Sequence, residues 1–372
     1  MDYSVAGEKR NSRKLTPDVV RAVAIIMVVW GHLIQVLYSS IVSDIYDIAV
    51  FRMIYTVHMP LFMLISGYFF YNSNNNKALK EKVVNRIKGI LMPLLIWNTV
   101  HYTINIIFDI VLVGEFTFSG KQFLKELFEG YWFLWAIFAF SIVMSLARCI
   151  PCLWLRVCCY LGFAVIMIPS PCRWPMLTMY PFFLVGYCYH YMENEKPNLI
   201  KAKFWIVLGS GGLYLLSLIV YFRESAMGNS EVKVLLEKTI EVLHERTMGA
   251  YMHDLLRFTL FYLMGLAGSL FVISLIHKLF RNGERDRFIN AFAKIGMYSL
   301  QIYILQRILI EQIWGKIYKN YYVQYFKDYI MTHIWLITVV ITLLLAVLFS
   351  CFITFVFDKI KNKRITQIIF GR

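Results

Sequence analysis

Residues 18–37 read Asp18-Val-Val-Arg21-Ala-Val-Ala-Ile25-Ile-Met-Val28-Val-Trp30-Gly31-His32-Leu-Ile-Gln35-Val-Leu37. From Ala22 to Leu37 the stretch carries no Asp, Glu, Lys or Arg. With its flanks it is long enough to cross a hydrocarbon core about 30 Å thick. Backbone groups in lipid must bond within their own segment, so the stretch is read as a helix. Comparable runs occur at Phe204–Phe222 and Ile334–Phe357. The strict alternation of barrel strands is absent. The chain is 59% hydrophobic and 16% charged over 372 residues. A soluble domain is nearer 45–50% apolar and about 25% charged. The expected fold is therefore all-α, a polytopic integral membrane bundle.

About ten spans are expected, near residues 19–41, 48–71, 88–113, 131–149, 151–169, 174–192, 204–222, 251–277, 288–310 and 333–357. Pro60, Pro93 and Pro181 fall inside them and are expected to kink their helices. Asp18, after Pro17, is placed to cap the first. The first span is too long for a cleaved secretory leader and holds Arg21 and His32. The net charge of +15 lies largely in short segments between apolar runs. It is read as membrane topology rather than a nucleic-acid footprint. Lys and Arg cluster in alternate segments: Lys9 to Lys14, Lys77 to Arg86, Lys196 to Lys203, Lys278 to Arg287 and Lys359 to Arg364. The bias puts both termini in the cytoplasm of a multi-pass cell (inner) membrane protein. The organisation expected is a basic N-terminus (1–17), one transmembrane domain (18–358) and a basic tail (359–372).

Two outer loops are longer. Glu115–Gly130 and Arg223–Ala250 carry apolar residues at helical spacing. Each reads either as an amphipathic helix lying on the surface or as a wall over an external acceptor site. Of seven cysteines, Cys149, Cys152, Cys158, Cys159 and Cys188 lie in or beside apolar spans and are read as small packing residues. Cys149 and Cys152 have no second pair behind them, so no metal is expected.

Ionisable groups inside spans are costly and mark function by default. Asp18, Arg21, Ile25, Val28, His32 and Gln35 are spaced 3, 4, 3, 4, 3 and share one helix face. Arg21 and His32 differ by about 20° around the axis. The second span runs back from outside, and His58 falls at the same depth as His32, roughly 14 Å below the outer boundary. Equal depth permits a shared site. Asp18–Arg21 also reads as a plain ion pair, and His58 as an imidazole bonded to a carbonyl. Further buried polar candidates are Arg52, His101, Asn105, Arg257, Gln301, Gln306 and Arg307; Arg52, His190 and Arg307 lie near span ends, where they would snorkel. Trp132, Trp135, Trp174 and Tyr180 are read as interfacial aromatics. Ser66-Gly67 reads as a close helix contact rather than a nucleophile. The chain has no nucleophile elbow, Gly-rich phosphate loop or H-E-x-x-H motif.

A series of motifs resembles the acyltransferase-3 family of membrane O-acyltransferases. Arg13-Lys-Leu-Thr-Pro-Asp18-Val-Val-Arg21, continuing to Gly31-His32, looks like its opening R…D-x-x-R…G-H pattern. His58-Met-Pro60-Leu-Phe62 with Ser66-Gly67-Tyr68 looks like its second helix. Arg86…Pro93, Tyr131-Trp132-Phe133-Leu134, Tyr180-Pro-Phe-Phe-Leu-Val-Gly186-Tyr187 and Ser299-Leu-Gln-Ile-Tyr303-Ile-Leu follow in the family's order. Gln306 departs from the pattern, since many members have His there. The resemblance implies transfer of an acyl group, most often acetyl from acetyl-CoA, to a hydroxyl of a surface polysaccharide, its lipid-linked precursor or another glycan. A multi-pass transporter or flippase for a glycan or another anionic small molecule is the rival reading.

Acyl transfer to a sugar needs a base, and imidazole has the right intrinsic affinity for a proton. His32 is assigned as that base, or as a relay to it. His58 is assigned to orient it, bind the acceptor or stabilise the oxyanion; the residues do not choose among the three. The acyl-CoA phosphates need cations near the cytoplasmic side, for which Arg13, Arg21 and Arg86 are placed, with Lys88 nearby and Asp18 orienting Arg21. The expected partners are the glycan or lipid-linked acceptor and membrane lipid, with no nucleic acid.

Overall fold

The computed structural model describes residues 15–72, 78–114, 116, 118–166, 173–195, 204–223, 248–280, 287–360, 366 and 369–371. Arg13, most of the Arg223–Ala250 loop and most of the basic N-terminus and tail lie outside the described residues. Every regular element among those described is helical. In chain order they are α1 Leu15–Tyr38, α2 Ala49–Asn72, α3 Leu79–Leu112, α4 Gly120–Glu129, α5 Trp132–Ala147, α6 Leu153–Ile166, α7 Arg173–Glu195, α8 Phe204–Arg223, α9 Met248–Leu279, α10 Arg287–Met297, α11 Ser299–Thr332 and α12 Leu336–Lys359.

Among the described residues, five helices are long and apolar enough to cross a membrane: α1, α2, α3, α12 and the Phe258–Leu279 part of α9. The count rises to seven if the bent pairs α4–α5 (65°) and α10–α11 (57°) are each one span. This is an all-α, multi-pass membrane bundle. Each predicted span falls on a helix, with one revision. The span read at 288–310 is broken at Tyr298, and its second part runs on as α11 to Thr332.

α1 is the post around which the rest is built, packed by α2, α9, α10, α11 and α12. Its sequence suits this place. Val19, Val20, Ala22, Ala24, Ile25, Ile26, Val28 and Val29 are all buried, small or β-branched, and leave room for neighbours on every side. α12 runs antiparallel to it. Trp30 Nε1 donates to Thr342 Oγ1 at 2.9 Å and to the Thr338 carbonyl at 3.0 Å, and Tyr38 OH meets Thr338 Oγ1 at 2.7 Å.

α2 and α7 run in the same direction and nearly touch. A Cβ on Gly67 would stand 2.0 Å from the Phe183 carbonyl oxygen, and one on Gly186 would stand 1.8 Å from that of Leu64. Only glycine permits this approach, so Ser66-Gly67 is a packing element as read, and Ser66 Oγ bonds back to the Phe62 carbonyl. Close approach at small residues is how helices gain dispersion energy where lipid supplies no hydrophobic drive.

Other details depart from expectation. Of the cysteines read as packing residues, Cys149, Cys152, Cys158 and Cys188 are exposed free thiols and Cys159 is half-buried. Tyr180 is buried, with ring centroids 4.9 Å from Phe140 and 5.2 Å from Phe163, rather than lying in a belt. Near the end of the chain, the Ile369 carbonyl accepts from Trp97 Nε1 at 2.9 Å and Phe370 is buried between Trp97 and Phe357.

Candidate active site

His32 sits one turn and a half below the Tyr38 end of α1. Gly31 beside it has no side chain, and a Cβ there would stand 3.0 Å from the Tyr55 ring, so this glycine lets α2 bring Tyr55 up to the imidazole's neighbourhood. His32 Nδ1 lies 3.2 Å from Gln35 Oε1 and 3.3 Å from Glu311 Oε1 of α11. Tyr55 OH donates to the same Gln35 oxygen at 3.2 Å. The side chains of His32 and Glu311 are 19% and 23% exposed, so the pair is sheltered yet reachable.

Glu311 is held by its own helix. Gln306 Nε2 donates to Oε1 at 3.0 Å, and Arg307 Nη1 lies 3.5 Å from Oε2. Residues Arg307–Trp314 are π-helical. The wider turn closes i to i+5 bonds and sets position 306 beside 311, an arrangement that recurs at functional sites. Arg307 does not snorkel. It is tucked into the bundle with its guanidinium 5.3 Å from the Tyr131 ring centroid, and Tyr131 packs edge-on to Tyr303 at 6.0 Å.

His58 is 2% exposed and its Nδ1 bonds to the Ile54 carbonyl at 2.8 Å. Its ring packs edge-on to Tyr55 at 4.5 Å. The two histidines predicted to share a site are thus linked through Tyr55 and Gln35. Arg52, likewise buried, donates to the Tyr46 carbonyl.

The other end of the α1 stripe is basic and aromatic. The Arg21 guanidinium lies 4.0 Å from the Phe69 ring centroid, and that of Arg86 lies 5.1 Å from Phe70. Arg148 lies 5.2 Å from both Tyr71 and Tyr187 and donates to Tyr187 OH at 2.7 Å. Three cations therefore stand on three successive rings at the end of α2. Cation–π contact of this kind holds a guanidinium in place without neutralising it. Asp18 is buried, and its backbone carbonyl faces Gly296 of α10. Lys88 is exposed.

Sequence reasoning missed Glu311, Tyr55 and Arg148. Glu311 lies one residue beyond the ninth predicted span, and Tyr55 precedes His58 by three residues on what reads as an ordinary apolar face. Arg148 sits at the end of α5 and reads as a topological charge.

The chain was compared with proteins already known. It is 29% identical over 232 residues to Nodulation protein NolL of Sinorhizobium fredii (strain NBRC 101917 / NGR234), covering 60% of this chain and 62% of that one. It is 30% identical over 200 residues to Nodulation protein NolL of Mesorhizobium japonicum (strain LMG 29417 / CECT 9101 / MAFF 303099), covering 53% of each. The chain thus spans between half and two thirds of the length of these curated relatives. No solved structure matches it. Residues 15–353, nearly the whole chain, match the family described as the acyltransferase domain, type 3, and the chain belongs to that family.

Proposed function

We propose that the protein is a membrane-bound O-acyltransferase. It moves an acyl group, acetyl by the family resemblance, from acyl-CoA to a hydroxyl of a cell-surface polysaccharide, its lipid-linked precursor or another glycan. The single observation that carries the reading is the contact between His32 Nδ1 and Glu311 Oε1 at 3.3 Å.

That contact supports one tautomer. A ring nitrogen lying between a carboxylate oxygen and an amide oxygen does so favourably only as an N–H donor. The proton then resides on Nδ1, and Nε2 keeps its lone pair. The acceptor's hydroxyl gives its proton to Nε2 as its oxygen attacks the thioester carbonyl. The carbon–sulfur bond then breaks, and the imidazolium returns the proton to the departing thiolate, giving ester and free CoA. Glu311 stabilises the imidazolium in between, as carboxylates paired with catalytic histidines do. Arg307 supplies positive charge to the site where the carbonyl oxygen becomes an oxyanion. His58 acts as a positioning residue by packing Tyr55 against the Gln35–His32 contact.

Arg21 and Arg86 at the opposite end of the stripe suit the CoA phosphates, and Arg148 extends the same basic face. Arg21 is eleven residues from His32, about 16 Å along the helix, a distance a flexible pantetheine arm can span. With the N-terminus cytoplasmic, the donor is held from inside and the acceptor meets His32 from the outer half of the bundle.

The test is thiol release from acetyl-CoA by the purified full chain in nanodiscs, with and without a pool of glycan acceptors. Acceptor-dependent release is expected. A transporter or flippase releases no thiol under either condition.

A further inference from the structure

Arg307 has a second His–Glu pair on its other side. His101 of α3 and Glu126 of α4 stand 3.5 Å apart, Nδ1 to Oε2, and Arg307 interacts electrostatically with both Glu126 and Glu311. Glu126 Oε2 accepts from Asn105 Nδ2 at 3.1 Å, and its Oε1 accepts from Gln122 Nε2 at 3.2 Å. The His101 carbonyl accepts from Gln312 Nε2 of α11 at 2.6 Å.

This cluster exists because α4 packs against α3, with Tyr102 OH bonded to Ser119 just before its start and Asn98 Nδ2 donating to the Leu127 carbonyl near its end. The chain then turns by 65° into α5. No residue of α4 is buried, and its contacts with α3 bring Glu126 beside His101 and Asn105.

The cluster is incompletely satisfied. His101 Nδ1, Arg307 Nε and Gln312 Oε1 are buried without a hydrogen-bond partner. The 3.5 Å separation of His101 from Glu126 is longer than the usual range of about 2.7–3.2 Å. Buried polar groups carry a cost until something pairs with them. The His101 and Glu126 side chains are 13% and 21% exposed, so a ligand reaches them. The proton balance of acyl transfer closes on His32 alone, so this second pair has no proton to move.

We propose that His101, Asn105 and Glu126 form the acceptor subsite, which binds neighbouring hydroxyls of a neutral sugar ring while His32 deprotonates a third. The inference rests on the acyltransferase reading and names its acceptor chemistry. A carboxylate and an imidazole at this spacing take two adjacent hydroxyls, one donating to Glu126 and one to His101. The unpaired Arg307 Nε donates to a further hydroxyl of the ring, and Gln312 Oε1 accepts from another. A phosphorylated or carboxylated ring is disfavoured, because Glu126 would face its charge.

The experiment is equilibrium binding of a panel of methyl glycosides, neutral hexoses and 6-deoxyhexoses beside hexuronic acids, to the full chain in nanodiscs. Wild type is compared with Glu126→Gln and, as a second variant, His101→Gln. Donor affinity for CoA is measured on the same samples as a check on folding. Wild type is expected to bind at least one neutral glycoside more tightly than its uronic counterpart. Each variant should weaken that binding about tenfold or more, because Glu126→Gln loses a charge-assisted hydrogen bond and His101→Gln loses the imidazole nitrogen that accepts the second hydroxyl, with CoA affinity unchanged. Equal glycoside binding by wild type and both variants overturns the proposal. So does a wild type that binds no neutral glycoside, or a parallel loss of CoA affinity in both variants. Binding needs no turnover, so a failure of the acyltransferase reading is seen separately, as glycoside binding without acceptor-dependent thiol release.

Discussion

Gln306 donates to Glu311 at 3.0 Å across five residues of one helix. In a regular α-helix those positions point roughly 140° apart. The π-helical turn from Arg307 to Trp314 closes that gap, and the carboxylate so held faces His32. Gln306 stands where the family resemblance places His in many members. In this chain it serves as the amide that orients the carboxylate. Gln306→Ala is expected to lower kcat about tenfold, with donor affinity unchanged. A kcat equal to wild type in a folded protein removes Gln306 from the site.

Glu311→Gln keeps the shape of the side chain and removes its charge. The imidazolium formed at His32 then lacks its stabilising partner, and the amide can present N–H rather than oxygen to Nδ1, favouring the wrong tautomer. A fall in kcat of about a hundredfold or more is expected, by analogy with carboxylate-to-amide changes in His–carboxylate pairs. Steady-state kinetics at saturating acetyl-CoA would show it. Less than a threefold change means the 3.3 Å contact has no part in the chemistry.

Arg86→Ala and Arg21→Ala each remove a guanidinium from the basic end of the stripe. Acetyl-CoA affinity is expected to weaken about tenfold for each, with a smaller loss for Arg→Lys, since lysine keeps the charge but not the fork. The loss should shrink as salt rises, because screening already weakens the contacts in wild type. Isothermal titration of CoA at two ionic strengths checks this. An unchanged affinity for both variants moves the phosphates elsewhere.

Gly67→Ala and Gly186→Ala test the frame rather than the chemistry. Each adds a carbon about 2 Å from a facing carbonyl oxygen, which forces α2 and α7 apart. A loss of about 1–3 kcal/mol or more is expected, seen as a lower unfolding temperature in detergent. Gly120→Ala serves as the control, since a Cβ there meets nothing within 4 Å. Equal stability of all three would contradict the close approach.

Much of this arrangement is legible in the sequence. Lipid enforces helices on long apolar runs, so the apolar stretches fall on helices among the described residues, the ninth being split at Tyr298. The spacing of Asp18, Arg21, His32 and Gln35 marks one face, and Ser66-Gly67 marks a helix contact. What stayed hidden has physical causes. A 3.6-residue period cannot register the π turn that adds Glu311 to the site. Apolar content alone ended the ninth span at residue 310, although the helix runs on to Thr332. Arg307 reads as a snorkelling cation until Glu311 and Tyr131 are seen to hold it. The packing of α4 on α3 depends on Asn98 and Tyr102, which lie 29 and 17 residues away from their partners.

The most direct measurement is a single-turnover assay of His32→Ala beside wild type, with acetyl-CoA and a glycan acceptor pool. Membrane insertion and CoA affinity are measured on the same samples. Loss of acceptor-dependent thiol release, with insertion and CoA binding intact, is the expected result. Full release by an inserted, CoA-binding His32→Ala protein would contradict the assignment of His32 as the base.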